Sequence, residues 1–153
     1  MRLNKLVAEL QNDHPAIHFQ SSDIAHWSPS EQTIYYDNNV TNTIHELGHA
    51  LLGHSTFTRD VELIRIERDA WEKASHIAKK YQVVIDDEVI EAAMDNYREW
   101  LHSRSSCPKC SQVGVQSHRD LSYYCINCDT RWKANDARSC GLKRTVITSK
   151  NRP

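Results

Sequence analysis

His45-Glu46-Leu47-Gly48-His49 carries two imidazoles one helical turn apart, with a carboxylate next to the first. On a helix, residues four apart share a face, so His45 and His49 can converge on one metal ion. Glu46, rotated by about 100°, reaches a water activated by that ion rather than the ion itself. This is equipment for metal-assisted hydrolysis: the metal lowers the pKa of water and polarises a carbonyl. Glu46 would accept the proton and deliver it to a leaving amine. A second group of ligand types follows, Cys107-Pro108-Lys109-Cys110 and Cys125-Ile126-Asn127-Cys128, with 14 residues between the pairs. Matching CxxC knuckles of this kind clamp one zinc tetrahedrally. Two zinc ions are therefore expected, one doing chemistry and one holding structure.

The first site needs a third ligand. His54 comes five residues after His49, and Leu52 and Ser55 stand where a longer histidine motif would require glycine and histidine. A carboxylate from the following helix is expected instead. Glu67 is favoured, because Ala70 and Ala74 give that helix a slim face and Glu67 borders it, one turn before Trp71. Glu62 is the runner-up and Asp60 a weaker choice; Asp69 and Glu72 read as solvated charges. His54 is expected just outside the ligand set, in contact with substrate or solvent. His76, Tyr81, Tyr97 and His102 are oxyanion-donor candidates by residue type alone.

These groups must be positioned by local structure. Leu3, Leu6, Val7 and Leu10 predict an amphipathic helix over residues 2–12. Residues 17–20 and 24–27 read as short strands, and Thr33-Ile34-Tyr35-Tyr36 is the clearest strand, β-branched and aromatic throughout. The HExxH helix is expected from Thr41 or Asn42 to Gly53, with Leu47, Ala50, Leu51 and Leu52 facing inward. A helix over about 58–80 should bury Val61, Ile64, Ala70, Trp71, Ala74 and Ile77. Another follows over about 87–102, with Asp86-Asp87 at its head. Val113, Val115, Leu121, Tyr123 and Tyr124 fit a small β-hairpin between the two CxxC pairs.

The chain has 153 residues, of which 39% are hydrophobic, enough for one modest core plus a small module. No apolar run is long enough to span a bilayer, and the polar residues Glu9, Gln11, Asn12 and Asp13 interrupt any signal-like segment. All five cysteines follow residue 106 and four are in CxxC pairs, which points to metal ligation in a reducing compartment, the cytoplasm. The net charge of −1 conceals an asymmetry. Residues 1–102 hold 9 Lys/Arg against 17 Asp/Glu, and residues 103–153 hold 10 against 3. The basic end, with Arg104, Lys109, Arg119, Arg131 and Lys133 and the aromatics Tyr123, Tyr124 and Trp132, offers a surface for nucleic acid or an acidic partner. It could equally dock on the acidic part of the same chain.

His45-Glu46-Leu47-Gly48-His49-Ala50-Leu51-Leu52-Gly53-His54 followed by Glu67-Arg68-Asp69-Ala70-Trp71 resembles the gluzincin metallopeptidases, in particular minimal gluzincins and the ImmA/IrrE-type peptidases. The resemblance spans roughly residues 1–100. It implies zinc on His45, His49 and Glu67, Glu46 as general base, and Thr33, Ile34, Tyr35 and Tyr36 as a sheet strand beside the cleft. In such enzymes an extended substrate pairs its backbone with an edge strand. Some relatives carry Asp where this chain has Trp71, so either another carboxylate or a backbone carbonyl orients the ligand histidine, or the site is looser. The joining of an HExxH domain to a C-terminal ribbon also resembles the layout of SprT-type proteases, which act on proteins attached to DNA.

The expected architecture is α+β. A zincin-like domain over 1–102 would have a short antiparallel sheet packed on the HExxH helix and later helices. A β zinc ribbon would follow over 103–140, then a basic flexible tail over 141–153. The expected activity is that of a monomeric zinc endopeptidase whose ribbon recruits a protein or a nucleic-acid-bound target. The rivals are a zincin-fold regulatory protein that barely cleaves, and a nucleic-acid adaptor acting through its ribbon.

Overall fold

Leu6, Val7 and Leu10 fall on one face of helix α1 (Leu3–Asp13) and are buried there. The computed structural model from which these positions come describes residues 2–138 and 140–148. The described residues are α+β, with four helices and two small sheets. They divide into two compact units, Met1–Thr56 with Arg65–Ala92, and Phe57–Ile64 with Ala93–Pro153.

In the first unit, β1 (His18–Ser21), β2 (His26–Ser28) and β3 (Thr33–Tyr36) form a sheet in the order β1-β3-β2. β2 pairs antiparallel with β3, but β1 pairs parallel with it, so the sheet is mixed rather than antiparallel. β3 is the central strand. Ile34 is fully buried and Thr33 nearly so. The expectation that β3 offers a free edge is therefore overturned: both of its edges are already hydrogen-bonded.

Helix α2 (Val40–Leu52) starts one residue earlier than the sequence pattern suggests, because Asn39 caps it. The Asn39 side chain accepts from the N–H groups of Thr41 at 2.8 Å and Asn42 at 3.3 Å. Gly53 ends it in the left-handed region at φ 67°, a conformation that costs an L side chain energy and a glycine very little. Leu47 is buried, but Leu51 and Leu52 are about two-fifths exposed, 39% and 42%. They do not face inward as expected, because the helix unwinds one residue later and leaves its last turn in solvent.

Helix α3 (Asp60–Lys80) buries Asp60, Leu63, Glu67, Ala70, Trp71, Ala74, Ile77 and Ala78. These positions recur at intervals of three and four, one continuous stripe. Val61 lies outside it and is 51% exposed, and Ile64 is only half-buried, which corrects the expected stripe by one position. Two carboxylates, Asp60 and Glu67, occupy positions that an apolar residue would normally fill.

Asp60 belongs to the second unit, with the end of α4 (Asp87–Ser105) and a four-stranded sheet. That sheet has β4 (Val115–Gln116), β5 (Tyr123–Tyr124), β6 (Arg131–Ala134) and β7 (Arg144–Val146) in sequential antiparallel order. β7 lies in the segment expected to be a flexible tail. It pairs with β6, which would otherwise present an open edge. Residues 149–153 of that expected tail lie outside the described residues. Tyr123 and Trp132 stack with ring centroids 5.4 Å apart and form the ribbon core with Cys107 and Cys125. Gly114 is required here, since a Cβ would meet the Trp132 ring at 2.4 Å.

A buried ion pair ties this unit together. Arg104 Nε donates to Asp60 Oδ2 at 2.7 Å, and the Tyr123 hydroxyl donates to the same oxygen at 2.6 Å. Arg104 also donates to the carbonyl of Asn135, while its own carbonyl accepts from Trp132 Nε1 at 2.9 Å. Burial first, and the bond to Asp60 second, raise the Tyr123 pKa and keep its hydroxyl a donor. Removing one partner of such a pair strands the other charge without water. Asp60→Ala should therefore destabilise the second unit by about 3–5 kcal/mol, read as a lower urea midpoint in the full chain. A loss below about 1 kcal/mol would show that the pair is solvated.

Candidate metal centres

The first unit brings His45, His49 and Glu67 together. His45 Nε2 lies 3.1 Å from Glu67 Oε2, His49 Nε2 lies 3.5 Å from the same oxygen, and the two nitrogens are 3.1 Å apart. A tetrahedral ion bonded at about 2.0–2.1 Å to nitrogen and oxygen places its donors about 3.3–3.4 Å apart. The three atoms therefore already occupy three corners of such a tetrahedron, and the donor set fits zinc. All three side chains are nearly buried. Burial alone would raise the Glu67 pKa, but hydrogen bonds and charge from His45 and His49 outweigh it and pull it down to about 2. The carboxylate thus stays ionised, as a metal ligand must.

The approach of α2 to α3 makes this convergence possible. A Cβ on Gly48 would fall 2.5 Å from the carbonyl oxygen of Ala70. Glycine is therefore needed at position 48, where α2 faces the α3 backbone at Ala70. Glu62, the runner-up ligand, is not in the cluster: it accepts from the Thr58 N–H at 2.9 Å and pairs with Arg59. Asp60 is committed to Arg104.

The two imidazoles are held in different ways. The His45 ring stacks on Trp71 with centroids 4.0 Å apart and planes 23° from parallel. Among the described residues, His45 Nδ1 and Trp71 Nε1 are buried without a hydrogen-bond partner. No carboxylate or carbonyl among the described residues meets His45 Nδ1, which is the looser of the two arrangements expected with Trp71 at this position; an aromatic face holds the ring. His49 Nδ1, in contrast, lies 3.0 Å from His54 Nδ1. Burial, and secondarily the charge of His49, lower the His54 pKa. The His54 carbonyl accepts from Trp27 Nε1 at 3.0 Å, which ties the turn after α2 to β2.

Glu46 stands beside the donor set and is not part of it. Its burial raises its pKa above the ordinary carboxylate value, while His45, His49 and the backbone N–H of Trp27 act in the opposite direction. A base tuned upward in this way accepts a proton more readily near neutral pH. Of the oxyanion candidates, Tyr81 is committed elsewhere, donating to Asp13 Oδ2 at 2.7 Å, and His76 is exposed.

The second unit brings Cys107, Cys110, Cys125 and Cys128 together. Sγ atoms from opposite knuckles are 3.6 Å apart for Cys107 and Cys128, and 3.5 Å for Cys110 and Cys125. Bonds of about 2.3 Å to one tetrahedral zinc imply a spacing of about 3.8 Å. The knuckles have the same backbone pattern. Ser111 and Asp129 donate to the carbonyls of Cys107 and Cys125, both at 2.9 Å, and Cys107 and Cys125 donate to those of Gln112 and Thr130. Ser111 and Asp129 both adopt positive φ, 64° and 58°, so each chain reverses at the same step. Asn127 and then the Gln112 backbone lower the Cys110 pKa, and Thr130 lowers that of Cys128. Burial raises Cys125 to about 11, and a bound cation would be needed to ionise it. Cys140 is exposed and outside this cluster.

The expected basic surface is only partly present. Lys109, Arg119, Arg131 and Lys133 are exposed, but Arg104 is buried against Asp60. Tyr123 and Trp132 fill the core and cannot stack on a ligand; Tyr124 alone faces outward, beneath the Arg131 guanidinium at 5.0 Å. Sequence reasoning missed the roles of Gly48, Trp71 and Asp60. The i, i+4 spacing of Glu67 and Trp71 was the available signal for one of them. Compared with known proteins, the chain has no significant match to a family model, a curated sequence or a solved structure.

Gly48→Ala should force the helices apart, cost about 1–3 kcal/mol through overpacking, and weaken metal binding at the histidine site. Binding by the four cysteines should be unchanged. Equilibrium metal titration with a competing chelator checks this; unchanged affinity at the histidine site would refute the helix-approach argument.

Proposed function

We propose that this chain is a zinc-dependent endopeptidase of gluzincin type, with a zincin-like catalytic fold and a C-terminal zinc ribbon. The observation that carries the reading is the convergence of His45 Nε2, His49 Nε2 and Glu67 Oε2 beside an upward-tuned Glu46. A zinc ion on those three atoms would supply Lewis acidity, lowering the pKa of water and polarising a peptide carbonyl. Glu46 takes the proton from the attacking water and passes it to the departing amine nitrogen. Trp71 and the turn carrying His54 fix the imidazoles, so little reorganisation is needed during the reaction. An extended peptide would pair with β2, the edge strand whose Trp27 N–H acts on Glu46. This replaces β3 as the substrate-pairing strand. Four cysteines placed as metal ligands rather than in disulfides fit a cytoplasmic enzyme.

Glu46→Gln should lower cleavage of a proteome-derived peptide library, read by mass spectrometry, by roughly 10²–10⁴-fold while both metals are retained. Cleavage by the Gln variant at the wild-type rate would refute the assignment. Failure of the metal-loaded wild type to cut any peptide would favour the regulatory-protein reading.

The ribbon would recruit the target. Arg131 and Lys133 alternate with buried Trp132 along β6 and so share its outer face with Tyr124. That face suits a phosphate backbone. Replacing both Arg131 and Lys133 with Ala should reduce the salt slope of binding to a single-stranded DNA oligonucleotide by about 1.4. An unchanged slope would assign recruitment to another surface.

A further inference from the structure

A neutral imidazole carries one N–H, so a histidine that offers Nε2 to a metal must carry its proton on Nδ1. His49 Nε2 faces His45 and Glu67. Its Nδ1 faces Nδ1 of His54 at 3.0 Å. Only one arrangement satisfies both ends: His49 Nδ1–H donates, His54 Nδ1 accepts, and the proton of His54 sits on its own Nε2.

This contact is built by the way α2 ends. With Gly53 at positive φ, the N–H of Gly53 bonds the Ala50 carbonyl and the N–H of His54 bonds the His49 carbonyl, both at 3.1 Å. That is the Schellman pattern, which folds the second residue past the helix end back onto its last turn. The five-residue step from His49 to His54 thus places one ring beside the other. Trp27 Nε1 then holds the His54 carbonyl from β2.

We propose that His54 is a positioning residue for the metal centre, fixing His49 in the tautomer that presents Nε2. The proposal rests on the reading that His45, His49 and Glu67 hold zinc. His45 has no equivalent, since its Nδ1 lacks a partner among the described residues and its ring is held by Trp71. Loss of the acceptor should therefore act through His49 alone.

The test compares His54→Phe, which keeps a ring but removes the acceptor, with His54→Asn, whose side-chain oxygen can replace Nδ1. Zinc affinity at each site is measured in the full chain by chelator competition, and cobalt substitution separates thiolate charge-transfer bands from the histidine site. The ¹⁵N chemical shifts of His49 report its tautomer. His54→Phe should weaken the histidine site 10–100-fold and mix the His49 tautomers, and His54→Asn should restore both. The four-cysteine site should be unchanged. Wild-type affinity in His54→Phe would overturn the proposal, as would equal weakening in both variants with the His49 tautomer unaltered. If the wild type binds metal only at the cysteines, the peptidase reading falls as well; if it binds two ions and His54→Phe matches it, only this inference falls.

Discussion

The close approach of α2 to α3 at Gly48 and Ala70 is the constraint on which the histidine site depends. Glu67 is one turn from Ala70, and His45 and His49 flank Gly48, so the distance between the helices sets the distance between the donors. Any side chain larger than hydrogen at position 48 would push against a backbone carbonyl that has no rotamer with which to yield. The same packing places Trp71 under His45. Helix packing and ligand geometry are thus one property, and a change in core volume here would be felt as a change in metal affinity.

The second unit solves a different problem. Its sheet has strands of two to four residues, too little apolar surface to offset chain entropy without help. The four converging cysteines, placed to hold one metal ion, would supply one clamp. The Asp60, Arg104 and Tyr123 cluster supplies another, joining the first turn of α3 and the end of α4 to strand β5. A buried ion pair of this sort contributes less to net stability than to the choice of one arrangement, because every alternative strands a charge. α3 contributes a carboxylate to each unit from the same buried stripe: Glu67 to the histidines, Asp60 to the arginine.

Features encoded by short-range spacing were readable in the sequence. The HExxH pair, the two CxxC knuckles, the end of α2 at Gly53 and the choice of Glu67 over Glu62 all rest on helical periodicity or fixed local turns. Strand order was not readable: Thr33–Tyr36 has the composition of a strand, but nothing within four residues says whether it lies at the centre or the edge. Asp60 read only as a weak candidate for the third ligand, since its actual partner Arg104 is 44 residues away. Arg104 in turn looked like part of a basic surface. Leu51 and Leu52 were misplaced because hydrophobic residues in the last turn of a helix are governed by where the chain leaves it.

The central claim is that three converging side chains hold a metal and leave a position for a reacting water and carbonyl. The most direct measurement is a crystal structure of the zinc-loaded protein with anomalous scattering collected at the zinc edge. The account predicts two ions, one on the four cysteines and one on His45, His49 and Glu67 with a coordination position open toward Glu46. A single ion on the cysteines, with the histidines and Glu67 joined only by hydrogen bonds, would contradict it.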